Sequence, residues 1–129
     1  MLSGLFKLHI QYARHQAHEF IEKMSSGKDV IQAFDDYDWS GEVLLTKTFK
    51  RISPTISVET NDKLIWVSAT EHEFMSEYTY AGQVDHFFGL WKKKGRIIAD
   101  RQDLSKADAR KALEFFVAGQ HDAPLSLYY

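Results

Sequence analysis

The chain has no cysteine, only two prolines and seven glycines in 129 residues, and no apolar run that approaches a membrane span of about 20 residues. The missing cysteines exclude a disulfide framework, a Cys-ligated zinc or iron–sulfur centre and a Cys nucleophile, and agree with a reducing compartment. There is no internal repeat, low-complexity segment or Pro-rich linker, so residues 1–129 read as a single globular domain. Charge of one sign is lacking too. With 16 Lys and Arg against 18 Asp and Glu, the formal net charge of -2 creates no global field that would gather nucleic acid or an acidic membrane surface. Gly-rich phosphate loops, HExxH and a Gly-x-Ser-x-Gly elbow are all missing. Met1 to Tyr12 holds Lys7 and His9 inside its apolar stretch and lacks a small-residue cleavage site, so it reads poorly as a signal peptide. What the chain does have is apolar and aromatic material, 44% and 14% of its residues, enough for one core without staples.

Periodicity places the elements. Phe6, Leu8, Ile10 and Tyr12 alternate with polar residues and predict a strand. From Ala13 the spacing of Ala17, Phe20, Ile21 and Met24 is helical, with a stop at Ser25-Ser26-Gly27. Val30, Ala33, Phe34 and Tyr37 predict a second helix, or the continuation of the first beyond a kink at Gly27. Strands are expected from Glu42 to Lys50, Thr55 to Thr60 and Lys63 to Ala69, the last two joined by the turn Asn61-Asp62. A hairpin from Phe74 to Trp91 is expected to break at Ala81-Gly82, and Lys94-Gly95 to form a turn before a short strand, Arg96 to Ala99.

The last helix carries the strongest signals: Ser105 and Asp108 in a capping-box-like pair, Leu104 and Ala109 at the staple positions, and Gly119 where a C-terminal cap belongs. Its apolar stripe is Ala109, Ala112, Leu113, Phe116 and Val117, and Leu125 to Tyr129 offer a terminal strand. The expected fold is therefore α+β, an antiparallel sheet of five to seven strands with N-terminal and C-terminal helices packed on it.

Several clusters invite a chemical reading. His15 and His18, with Glu19 and Glu22, would share a helix face and could contribute to a metal site, although a solvated polar face has the same pattern, and no metal is assigned. Glu71-His72-Glu73 pairs a base with carboxylates but also suits an exposed loop. His86 falls on a strand with bulky neighbours and suits a packed position. Lys92-Lys93-Lys94-Gly95-Arg96 beside Trp91 suits a solvated turn better than a nucleic-acid patch.

The carboxylates are unevenly placed. Residues 29–46 hold Asp29, Asp35, Asp36, Asp38 and Glu42 with no Lys or Arg, and residues 64–91 hold Glu71, Glu73, Glu77 and Asp85, again with no base. Asp35, Asp36 and Asp38 crowd the C-terminal end of a predicted helix, where the macrodipole disfavours them, so helix stability does not explain them. Two readings stand: turn residues leading to Trp39-Ser40-Gly41, or a patch with Tyr37 and Trp39 as aromatic anchors that docks a basic partner.

The segment Tyr78-Thr79-Tyr80-Ala81-Gly82, then Asp85-His86-Phe87, Ala107 to Phe116, Gly119 and Pro124 resembles the immunity protein 1 family, small cytoplasmic proteins encoded beside polymorphic bacterial toxins. The resemblance covers about 50 of 129 residues; it departs at Gln120 to Ala123, which lengthen the link to Pro124, and at Tyr128-Tyr129, where the family usually has Trp. It implies a cytoplasmic, non-enzymatic protein, without cofactor, that binds one cognate toxin domain, commonly a nuclease or deaminase. An acidic surface of Asp35, Asp36, Tyr37, Asp38, Trp39, Glu42, Glu71, Glu73 and Glu77 would then meet a basic cleft. A small ligand-binding protein or enzyme with an aromatic pocket of Phe74, Tyr78, Tyr80, Phe88 and Trp91 is the alternative, and an adaptor using the acidic surface a third. The oligomeric state is left open.

Overall fold

A computed structural model of the chain describes residues 5–13, 20–49, 53–60, 63–86, 91–120 and 128. The elements run β1 (Phe6–Gln11), β2 (Ile21–Ser25), α1 (Gly27–Asp36), α2 (Trp39–Phe49), β3 (Thr55–Thr60), β4 (Lys63–Ala69), β5 (Phe74–His86), β6 (Trp91–Leu104) and α3 (Lys106–Val117). The six strands form one antiparallel sheet in the order β2-β1-β3-β4-β5-β6, with helices packed on it, an α+β fold. No helix among the described residues is long and apolar enough to cross a membrane.

Alternation decides which face the helices cover. Phe6, Leu8 and Ile10 of β1, Ile56 and Val58 of β3, Ile65, Val67 and Ala69 of β4, and Tyr78 of β5 are buried together with Val30 and Phe34 of α1 and Ala109, Ala112, Leu113 and Phe116 of α3. Phe116 of α3 meets Phe6 at 6.1 Å and the edge of Tyr78 at 6.0 Å, tying the helix to two strands. Caps set the helix limits: the Ser26 hydroxyl accepts from Asp29 N–H at 3.2 Å, and the Ser105 hydroxyl from Asp108 N–H at 3.1 Å. Gly119, at a φ of 75°, takes the left-handed conformation that ends α3.

Four expectations need correction. Residues 21–25 form a strand, not the end of a helix, and α1 starts afresh at Gly27. Phe20, Ile21 and Met24 mimic a helical stripe, yet all three are exposed on or beside an edge strand, whose backbone pairs with β1 from Phe6↔Ser25 to Ile10↔Ile21. Residues 42–49 are helix, because Asp38 caps α2: its side chain accepts from Gly41 N–H at 3.2 Å and its carbonyl from Glu42 N–H at 2.9 Å. Ala81-Gly82 does not break β5, and Lys94-Gly95 is not a turn; Gly82 pairs with Gly95 inside one long β5–β6 hairpin. The basic residues Lys92, Lys93 and Lys94 consequently stand in β6, in register with Asp85, Val84 and Gln83.

Asn61-Asp62 and His15-x-x-His18 lie outside the described residues, as does the expected terminal strand apart from Tyr128. Tyr128 is buried against Tyr78 and hydrogen-bonded to Ser76 Oγ at 2.7 Å. Since the Ser76 proton goes to the Trp66 carbonyl at 2.9 Å, the Tyr128 hydroxyl donates. Burial pushes the Tyr128 phenol up to about 12. The folded state holds this proton more tightly than the unfolded chain, so its contribution is complete below the ordinary value of 10.0 and is lost as pH rises toward 12. Tyr128→Phe should cost about 1 kcal/mol at neutral pH and flatten the loss of stability between those two pH values, as read from urea midpoints across an alkaline series.

Candidate functional site

The described residues form a groove of about 770 Å³ where the start of α2, the β4–β5 turn and the start of α3 meet. Trp39, Ser40, Val43 and Leu44 form one wall, residues 69–74 another, and Leu104, Ser105 and Lys106 complete it. The turn closes locally: Thr70 N–H donates to the Glu73 carbonyl at 2.9 Å, and Glu73 N–H to the Thr70 hydroxyl at 3.3 Å. This closure sets Glu71, His72 and Glu73 out into solvent at the rim. Opposite them Leu44 is 62% exposed, a large apolar side chain on the outer side of α2. The groove thus has an apolar wall under a rim of two carboxylates, with Lys106 as its one lining cation among the described residues.

Asp38 and Gly41 shape the first turn of α2 together. A Cβ on Gly41 would stand 2.1 Å from Asp38 Oδ2, so glycine is what lets the carboxylate fold back over the first turn. Here the helix N-terminus favours the negative charge, which answers the puzzle of an acid beside the end of α1. Its neighbours are likewise accounted for. Asp35 takes two bonds from the Arg110 guanidinium of α3, at 2.8 and 2.9 Å, and Arg110 also meets Glu114 at 3.1 Å. The hydrogen bond from Arg110 holds the Asp35 carboxyl below the usual carboxylate range despite some desolvation. Asp36 accepts from Gln32 Nε2 at 2.8 Å, one turn back, and Glu42 Oε1 accepts from Ala13 N–H at 2.7 Å.

The aromatic residues of the acidic segment do not serve as exposed anchors. Tyr37 is 5% exposed and Trp39 4%, and both belong to the core. Tyr37 stacks on Tyr12 at 5.1 Å and donates its hydroxyl proton to the Gln11 carbonyl. Trp39 donates Nε1–H to the Phe34 carbonyl at 3.1 Å, satisfying one of the last carbonyls of α1. Glu77 stands apart as well: it lies opposite Trp66 and Asp100, on the sheet face away from the helices. Of the nine residues expected to form one acidic surface, Trp39, Glu71 and Glu73 line the groove. Asp35, Asp36, Asp38 and Glu42 have internal partners, Tyr37 is core, and Glu77 faces elsewhere.

The other clusters resolve in the same way. His72 Nε2 stands 3.9 Å from Glu71 Oε2 on an exposed turn, too far for the hydrogen bond an acid–base pair would use. Phe74 and Tyr78 do not line one common pocket: Phe74 packs on Phe34 and Trp39 and borders the groove, whereas Tyr78 is buried under α3. Tyr80 packs against Tyr78 at the border of the core, and Phe88 lies outside the described residues. No three His, Asp or Glu among the described residues come together as a metal-binding group.

Leu44 and Ser40 were not legible as site residues, because a strand from Glu42 gives Leu44 different neighbours and Ser40 reads as part of the turn before that strand. The sequence signal for their true setting was Asp38 as an N-cap three residues before Gly41. No protein-family model, curated protein or solved structure matches the chain.

Proposed function

We propose that the chain is a binding protein that neutralises a toxin domain, a nuclease or deaminase, by seating a basic surface element of that domain in the groove between α2, the β4–β5 turn and α3. The observation that carries the reading is a groove in which Glu71 and Glu73 of the β4–β5 turn stand across from the exposed Leu44 of α2, residues brought together from distant parts of the sequence. An exposed apolar side chain beneath a charged rim is how protein interfaces combine desolvated contact with steering. A nuclease or deaminase handles a polyanionic or nucleotide substrate, so its cleft is basic and complementary to this rim. Inhibition then works by occupying the cleft and needs no catalytic group. The partial resemblance to the immunity protein 1 family supports the same role and a cytoplasmic place of action, where such a toxin would do its damage.

The test is coexpression with any toxin domain found encoded beside this chain. A stoichiometric complex on size exclusion and loss of toxin activity are expected. Retained activity with no complex at micromolar concentrations would sink the reading.

A further inference from the structure

The sheet face away from the helices holds a second depression, and its walls follow from strand register. One row across the strands reads Glu22, His9, Ser57, Trp66, and the next reads Gln11, Thr55, Ser68, Met75. The middle of both rows is made of small hydroxyl residues, while His9 and Phe20 rise on one side and Trp66 and Met75 on the other. Small side chains between large ones leave a trough of about 480 Å³, within the usual range for small-molecule sites. Glu22 Oε1 holds His9 Nε2 at 2.8 Å, and Phe20 packs on the imidazole at 4.6 Å, so this wall is fixed by its own contacts.

Polar side chains line the floor and one end of the trough, at His9, Gln11, Ser53, Thr55, Ser57 and Ser68, and some of their hydroxyls are already committed. The Thr55 hydroxyl bonds to the Ser53 carbonyl at 2.8 Å and the Ser68 hydroxyl to the Pro54 carbonyl at 3.0 Å, leaving lone pairs but no free proton. Among the described residues, the Ser57 hydroxyl, the Trp66 indole N–H and the second nitrogen of His9 have no protein hydrogen-bond partner. No Lys or Arg among the described residues lines the trough, and Glu22 stands at its edge, so a phosphate or carboxylate is disfavoured. We infer that the trough binds a flat, uncharged heteroaromatic ring of nucleobase size, its faces against Trp66, Phe20 and Met75 and its polar edge toward Ser57 and His9.

The experiment titrates the full chain with adenosine, guanosine, cytidine and uridine, with their 5′-monophosphates, and with methyl glucoside, by calorimetry and amide chemical shifts. Saturable binding of at least one nucleoside is expected, with its monophosphate no tighter and methyl glucoside inert. Ser57→Leu, which fills the trough, should weaken binding at least tenfold, and so should Trp66→Leu, each compared with the parent by circular dichroism so that loss of fold is separated from loss of ligand. The inference is overturned if no nucleoside binds saturably, if folded Ser57→Leu and Trp66→Leu proteins bind as the parent does, or if the glucoside is preferred.

Discussion

Trp39→Ala is expected to remove about 3–5 kcal/mol of stability, enough to unfold much of a domain whose whole margin is about 5–15 kcal/mol. The indole touches three rings, Tyr37 at 4.1 Å, Phe74 at 5.1 Å and Phe34 at 5.2 Å, and so joins α1, the start of α2 and β5. Truncation leaves a cavity among them and strips the Phe34 carbonyl of its donor. Trp39→Phe keeps a ring in place and loses the hydrogen bond, so a much smaller cost is expected. Urea denaturation followed by circular dichroism separates the two variants by their midpoints. An alanine variant with an unchanged midpoint would mean that Trp39 is a surface residue after all, free to anchor a partner.

The second large effect concerns binding. Replacing Glu71 and Glu73 by lysine and Leu44 by aspartate should weaken the complex with the toxin domain by roughly 100-fold or more while leaving the fold intact. Glu71 and Glu73 are exposed, and the Thr70 hydroxyl bridges the turn, donating to the Glu73 carbonyl and accepting from Glu73 N–H. The two glutamates alone should act through a slower association whose salt dependence falls, and Leu44→Asp through faster dissociation. Surface plasmon resonance at two ionic strengths reads both. Reversing Asp35, Asp36 and Asp38 instead would confuse the result, because Asp35 grips Arg110 and Asp38 caps α2. Parent-like kinetics for the triple variant would exclude the groove as the docking site.

The difference between those two sets of acids shows what could be read in the chain. β1, β3 and β4 alternate strictly or carry turn signals at their ends, and α3 has a cap at each end, so local rules suffice for them. For α2 the rules conflict: Val43-Leu44-Leu45 is a short apolar run that suits a strand, and the cap at Asp38 outweighs it. For β2 the backbone pairing with β1 outweighs a helical spacing whose apolar members never reach the core. Runs of acids were visible, but their partners were not. Arg110 lies 75 residues from Asp35, and only the packing of α3 beside α1 brings them together. Likewise, tertiary structure alone brings Glu71, Glu73 and Leu44 to one groove.

The position of β1 between β2 and β3 also shapes how the molecule must assemble. β3 through β6 and α3 follow one another in sequence, each strand pairing with the next. β1 pairs with β3 only after the chain has passed through β2, α1 and α2, as Leu8 opposite Val58 shows. Closing that long loop costs entropy before any of its contacts are made. The C-terminal meander can therefore form as a local unit, whereas docking of the N-terminal hairpin is the expected slow step in folding.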